Sequence, residues 1–194
     1  MKKIILLRHA KSSWKQLDLA DHDRPLNKRG RAAAPVIGAW MIQNGHVPQV
    51  ILCSTSVRTR ETLDRLGLPL EEVEVHYSED LYLASPDEML SALQGVLEAY
   101  NSAMIIAHQP GLSAFADALT RDAAPDCRQA FEHFPTAAVG VFQSDIPQWR
   151  TLNYGSADFT QFAKPDRTAE RNEISSYGIF AQVPLECFTW KKRL

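Results

Sequence analysis

The chain has 194 residues, 45% of them hydrophobic and 23% charged, which suits one ordinary globular domain of the usual ~150 residues with a tail and excludes disordered, fibrous and repeat architectures. A domain of this size buries roughly 70% of the surface its unfolded chain exposes, so it needs neither disulfides nor a structural metal. With 21 basic against 23 acidic residues and a net charge of -2, it carries no basic block that would mark a nucleic-acid partner.

Lys3 to Leu7 is continuously apolar after its first residue and β-branched at Ile4 and Ile5, which predicts a short buried strand followed by loop from Arg8 to Asp23. The run Ile4-Ile5-Leu6-Leu7 stops at Arg8, short of the ~7 residues of a signal peptide's hydrophobic segment. No later run approaches the ~18 apolar residues of a membrane span. Asn27 is a suitable N-cap for a helix through Ala32-Ala33-Ala34 to about Met41, with Pro35 as an expected kink. Val50 to Cys53 predicts a second strand, and Ser56 caps a helix that runs to about Leu66 and stops at Gly67. Val73 to His76 alternates as a strand does. Ser85-Pro86-Asp87-Glu88 is a capping box with proline at the first helical position, predicting a helix to about Tyr100.

Ala103 to Ala107 predicts another buried strand, broken by His108-Gln109-Pro110-Gly111 before a helix from Leu112 to Thr120. Ala137 to Phe142 and Trp149 to Tyr154 are expected as closing antiparallel strands across the Asp145-Ile146-Pro147 turn. Strands alternating with helices predict a three-layer α/β/α sandwich with a mostly parallel central sheet, whose ligand site lies beyond the carboxyl ends of the strands. Periodicity fades after Asp166, so the expected organisation is a domain over 1–166 and a tail over 167–194. Cys53, Cys127 and Cys187 are odd in number and far apart, which fits neither a disulfide framework nor a zinc site and makes a reducing cytoplasm the expected setting.

Three of these strands end in unusual polar residues. Leu7 is followed by Arg8 and His9, Cys53 by Ser54 and then Arg58, and Ala107 by His108. Two guanidinium groups and two imidazoles at one sheet rim describe an anion site, with a phosphoryl group as the natural guest. His22, His46, His76 and His133 lack metal-ligand spacing and no His-Glu-x-x-His element exists, so no metal and no cofactor are expected. Trp14 and Trp40 are read as packing residues.

The ordered motifs Leu6-Leu7-Arg8-His9-Ala10-Lys11-Ser12, Asp23-Arg24-Pro25-Leu26-Asn27-Lys28-Arg29-Gly30, Ser54 with Arg58-Thr59-Arg60-Glu61-Thr62, Leu81-Tyr82-Leu83-Ala84 and Ala107-His108-Gln109-Pro110-Gly111 resemble the histidine phosphatase superfamily, with its phosphoglycerate mutase-like fold. The resemblance spans roughly residues 1 to 166 and is nearest to the small SixA-like phosphohistidine phosphatase branch. It implies His9 as nucleophile and Arg8, Arg58 and His108 as the phosphoryl pocket. Arg60, two residues along the same helix, points to another face and is read as a solvated charge. Ala10, Ala107 and Gln109 stand where the wider superfamily has glycine, glycine and asparagine, and the small branch shares the first alanine.

Lys11 and Ser12 are candidate phosphate contacts or loop-packing residues. The general acid is open among Glu79, Asp21 and Asp23, each equally readable as a surface or capping residue. What the resemblance implies is a metal-independent phosphatase working through a phosphohistidine enzyme intermediate, with a phosphohistidine protein as substrate. The rivals are a phosphatase of a small phosphomonoester, such as a nucleotide-related or sugar phosphate, and a catalytically silent phosphate-binding scaffold. A mutase is disfavoured because the chain is short for the lid insertions that would shield a phosphorylated intermediate from water. No nucleic acid or membrane partner is expected, and the oligomeric state is open.

Overall fold

The computed structural model describes residues 1–16, 18–121, 128, 130–132, 134–165 and 179–180. The strands are β1 (Lys2–Arg8), β2 (Val50–Ser54), β3 (Glu74–Ser78), β4 (Ser102–Ala107), β5 (Val139–Ser144), β6 (Asp158–Pro165) and β7 (Ile179–Phe180), and the main helices are α1 (Lys28–Gln43), α2 (Val57–Leu66), α3 (Pro86–Gln94) and α4 (Gly111–Leu119). They build a sheet in the order β3-β2-β4-β1-β5-β6-β7. Pairing is parallel from β3 through β1 and antiparallel from β1 through β7.

Alternation along β1 separates the two cores. Ile4 and Leu6 face Met89, Leu93, Leu112 and Phe115 of α3 and α4, while Ile5 and Leu7 face Ala34, Ile37, Met41, Leu63 and Leu66 of α1 and α2. This is the expected three-layer arrangement, since successive strand side chains point to opposite faces. The helix starts also follow their local chemistry: Asn27 accepts from the Gly30 amide at 2.9 Å, Ser56 caps α2 and Ser85 with Glu88 forms the capping box of α3. Gly67 ends α2 with φ of 66°, the left-handed conformation that glycine adopts without a Cβ clash.

Three expectations are corrected. Helix α3 stops at Gln94 rather than near Tyr100, because Gly95 caps it with its amide on Leu93 and Ser91. The chain then turns so that the Tyr100 carbonyl can accept from Lys2 Nζ and Trp149 Nε1. The segment Trp149–Thr151 is a 3-10 turn and not a strand. Its apolar character comes from Trp149, which is fully buried in the core, and not from strand alternation. The antiparallel partner of β5 is β6, placed where the sequence reading had no strand, with Phe159 and Phe162 buried on the α3 and α4 side.

Of the segment read as a tail, only β7 is described, and it pairs with Lys164 and Pro165 of β6. Cys53 is buried and unpaired, whereas Cys127, Cys187 and His133 lie outside the described residues. Among the described residues no helix is long and apolar enough to cross a membrane.

Candidate active site

β1 and β4 are parallel neighbours with Arg8 opposite Ala107, and the His9 amide donates to the Ala107 carbonyl at 3.2 Å. The chain leaves β1 toward α1 on one face and leaves β4 toward α4 on the other. A crevice at the carboxyl ends of two such strands is where open α/β sheets hold ligands. Four of the expected residues, Arg8, His9, Arg58 and His108, meet there.

His9 is 7% exposed. Its Nδ1 lies 2.7 Å from the Ala10 carbonyl, which can only accept, so Nδ1 carries the proton and Nε2 keeps its lone pair. Burial above all pushes the His9 pKa down to about 3, the Arg58 and Arg8 charges adding to the effect and the Ala10 hydrogen bond opposing it. The ring is therefore neutral at pH 7. The loop behind it is tied to α2, as the Ala10 amide donates to Thr62 Oγ1 at 3.0 Å and that hydroxyl donates to the Arg58 carbonyl at 2.6 Å. On the other side the Ala137 amide reaches both the Arg8 and His9 carbonyls at 3.1 Å. That pairing holds Ala137 at φ of 61°, a conformation a non-glycine residue adopts only when its surroundings impose it.

His108 is 2% exposed, and its ring centroid is 5.1 Å from that of His9. Burial, followed by the neighbouring His9 and Arg58, lowers its pKa to about 3 as well. Its Nε2 is 2.9 Å from Ser54 Oγ. Arg8 donates from Nη1 to the Phe134 carbonyl at 2.9 Å, and burial pulls its pKa below the ordinary arginine value. Among the described residues three buried side-chain nitrogens lack a protein partner: Arg8 Nε, His108 Nδ1 and His46 Nδ1. Buried polar groups are nearly always paired, and two of these three, on Arg8 and His108, belong to this crevice.

Arg58, 4% exposed, donates from Nη2 to Asp21 Oδ2 at 2.8 Å and from Nη1 to the Asp21 carbonyl. Asp21 also accepts from Arg24 Nη1 at 2.9 Å and from the Tyr82 hydroxyl at 2.8 Å. Burial tends to raise the Asp21 pKa, but the Tyr82 hydrogen bond and the Arg58 and Arg24 contacts outweigh it and hold the carboxyl below its ordinary value. Read from sequence as a candidate acid, Asp21 is a carboxylate here and has no proton to give at neutral pH. Glu79 is exposed on the 3-10 turn Glu79–Leu81, where its carbonyl accepts from the Tyr82 amide at 2.8 Å. No described hydrogen bond or ion pair joins its side chain to the cluster. Asp23 is exposed and paired with His22.

The Ser12 hydroxyl accepts from Arg24 Nη2 at 3.4 Å, the guanidinium that also holds Asp21. Lys11 exposes its side chain and uses its backbone structurally: its carbonyl accepts from the Asn27 amide at 2.9 Å. A Cβ on Gly30 would come within 2.3 Å of that carbonyl. Arg60 is exposed, as expected, and lies over the Tyr77 ring.

Tyr82 has no role legible in the sequence, although it lies in the Leu81-Tyr82-Leu83-Ala84 motif. Its ring meets His108 edge-on at 5.3 Å and His22 at 5.0 Å. His22, considered only as a metal ligand, bonds Thr55 Oγ1 at 3.0 Å on this rim. Trp14 is not a packing residue: it is 68% exposed and lies 3.1 Å from the Arg24 guanidinium. Trp40 is buried as expected.

Comparison with known proteins agrees with this geometry. The family "Histidine phosphatase superfamily (branch 1)" matches residues 4–82. An uncharacterised protein of Mycobacterium leprae is 35% identical over 167 residues, 82% of this chain and 99% of that one. A structure from Nakamurella multipartitia assigned as a phosphohistidine phosphatase SixA aligns with a TM-score of 0.72 at 28% identity over 83% of this chain and 94% of the other. A second protein so assigned, from Agrobacterium tumefaciens, gives a TM-score of 0.68 at 25% identity over 83% and 96%. The chain belongs to the histidine phosphatase superfamily. It is a phosphatase, a hydrolase of phosphoryl compounds, with the phosphoglycerate mutase-like fold.

Proposed function

We propose that the enzyme dephosphorylates phosphohistidine on a protein, without a metal, through a phosphorylated His9. The observation that carries this reading is the neutral His9 imidazole, with Nδ1 held by the Ala10 carbonyl at 2.7 Å and Nε2 making no hydrogen bond among the described residues, beside Arg8, Arg58 and His108. A neutral imidazole attacks phosphorus in line, while the guanidinium and imidazole donors stabilise charge on the equatorial oxygens. The substrate P–N bond breaks with its electron pair going to the departing nitrogen. That imidazole can already be protonated on its other nitrogen near neutral pH, and in that form it leaves as a neutral molecule. Water then attacks phosphorus, the bond to His9 Nε2 breaks back to the ring, and the protons of the water go to the inorganic phosphate.

The state of the carboxylates supports this substrate class. An alkoxide leaving group needs a proton donor, yet Asp21 is ionised and Glu79 has no described link to the cluster. The relatives assigned as phosphohistidine phosphatases favour the same choice. We assign catalysis to residues 1–166 in a cytoplasmic setting.

The test is a parallel assay of a phosphohistidine protein and a panel of phosphomonoesters, with rapid-quench mass spectrometry. An acid-labile phosphate on His9, loss of turnover in His9→Ala and preference for the phosphohistidine protein are expected. A phosphomonoester turned over far faster, with Glu79 or Asp21 essential for it, would transfer the assignment to small-molecule hydrolysis.

A further inference from the structure

Ser54 ends β2 with no solvent exposure and with its hydroxyl 2.9 Å from His108 Nε2. Which of the two atoms donates follows from the neighbouring hydroxyl protons. Thr59 Oγ1 donates to the Ser54 carbonyl at 2.7 Å and the Ser56 carbonyl at 2.8 Å, so its proton is committed. The Ser56 hydroxyl, 2.8 Å from Thr59 Oγ1, is then the donor in that contact. In its 3.5 Å approach to His108 Nε2 it has therefore no proton to give and can only accept. Ser54 Oγ accepts from the Ser56 amide at 3.5 Å, and among its described contacts His108 Nε2 is the acceptor for its proton.

The alternative fails on hydrogen-bond inventory. Were Nε2–H to donate to Ser54, the buried Ser54 proton and the Nδ1 lone pair of His108 would both be left unmatched. With Ser54 donating, one group is left over: Nδ1–H, the nitrogen that has no protein partner. Burial and the nearby cations keep the ring neutral, so it has one N–H to place, and the partner of one nitrogen decides where.

We propose that Ser54 is a positioning residue whose hydroxyl donates to His108 Nε2 and holds that imidazole in the Nδ1–H tautomer, leaving Nδ1–H as the donor for a phosphoryl oxygen. This rests on the placement of His108 in the phosphoryl pocket but not on the identity of the leaving group. Ser56 and Thr59 act behind it by directing their own protons elsewhere.

The test reads the tautomer directly from the 15N shifts of the His108 ring in the full-length resting enzyme. The wild type should show a protonated Nδ1 and a bare Nε2. Ser54→Ala should lose that preference and bind vanadate about 10-fold more weakly, the scale of one lost hydrogen bond to an anion, and Ser54→Thr, which keeps the hydroxyl, should restore both to within about 3-fold. Protonated Nε2 in the wild type overturns the proposal even if no variant folds, and so does an unchanged tautomer in Ser54→Ala. Because neither measurement uses a phosphohistidine substrate, failure of the substrate reading would leave this result standing and separately visible.

Discussion

Arg58 and Asp21 form a two-point contact across the mouth of the crevice, with Nη2 on the carboxylate at 2.8 Å and Nη1 on the backbone carbonyl of the same residue. The guanidinium that would grip a phosphoryl group is thus engaged by an internal anion. A bound phosphoryl group has to share Arg58 with Asp21 or displace it, which makes Asp21 a competitor for the pocket's charge as well as the group that orients Arg58.

Asp21→Asn should therefore tighten vanadate binding about 3- to 10-fold, measured as an inhibition constant, because an uncharged amide competes less well for a guanidinium. Both Asp21→Asn and Glu79→Gln should lower kcat/KM on a phosphohistidine protein by less than ~10-fold, against ~100-fold or more expected for removal of a true general acid from an unactivated ester. Loss of vanadate affinity in Asp21→Asn would show that orientation of Arg58 outweighs competition for it.

Stability should fall in mild acid, and the direction follows from the two active-site histidines. His9 and His108 have pKa values near 3 in the folded protein, against about 6.5 in an unfolded chain. Below pH 6.5 the unfolded state binds more protons, so stability declines as pH falls from about 6.5 toward 3 and is flat above 7 as far as these groups are concerned. The depressed pKa of Asp21 adds a further loss that begins only near the ordinary carboxylate range. Urea midpoints measured from pH 8 to 4.5 should trace this decline, with a shallower slope in His9→Asn. An equal slope in that variant would mean that the His9 ring protonates freely in the folded protein.

The parts of the site that were legible in the sequence are those set by the strand ends. Arg8-His9 and His108 each follow an apolar run directly, so their position on the rim was a local consequence of where β1 and β4 stop. Helix starts at Asn27, Ser56 and Ser85 were readable for the same reason, since capping is decided within four residues. What was not legible depends on residues distant in the chain. Tyr82 acquires its place from a hydroxyl contact with Asp21, 61 positions away, and the lowering of the Asp21 pKa comes from that Tyr82 contact and then from Arg58, neither of which a local pattern connects to it. Trp149 shows the converse error, because its burial with Leu152 in an otherwise polar segment produced a pattern that resembled a strand.

Two glycines should respond oppositely to alanine. At Gly111, the first residue of α4, a Cβ would sit 1.8 Å from the Ala84 carbonyl, so either α4 or the loop carrying Leu83 and Ala84 must move. Overpacking against backbone costs about 1–3 kcal/mol or more, and the shift would carry His108 with it. Gly111→Ala should lower both Tm and kcat. At Gly95 the nearest atoms to such a Cβ are 3.6 Å away and φ is -79°, so Gly95→Ala should stabilise by about 0.4–1 kcal/mol through the unfolded state. Calorimetry on both variants decides the pair, and destabilisation of Gly95→Ala would contradict the packing described.

Thr62 joins the nucleophile's loop to the helix that carries Arg58. Its fully buried hydroxyl accepts from the Ala10 amide at 3.0 Å and donates to the Arg58 carbonyl at 2.6 Å. Thr62→Val keeps the volume and leaves the buried Ala10 amide without a partner, which costs about 1–3 kcal/mol. Thr62→Ser keeps the hydroxyl and removes one methyl group, a loss of about 1 kcal/mol. Valine should therefore be the more damaging change although it preserves the packing better, and the order of urea midpoints should be wild type, serine, valine. Activity should separate them further. Freeing the Ala10 amide loosens the backbone whose carbonyl orients His9 Nδ1, and a misplacement of about 1 Å at a reacting group costs on the order of 100-fold in rate. Thr62→Val should lose at least about 10-fold in kcat with little change in KM, while Thr62→Ser stays within about 3-fold of wild type. Wild-type kcat in a folded Thr62→Val would show that the His9 loop is held without α2, leaving Ala137 as the contact that positions it.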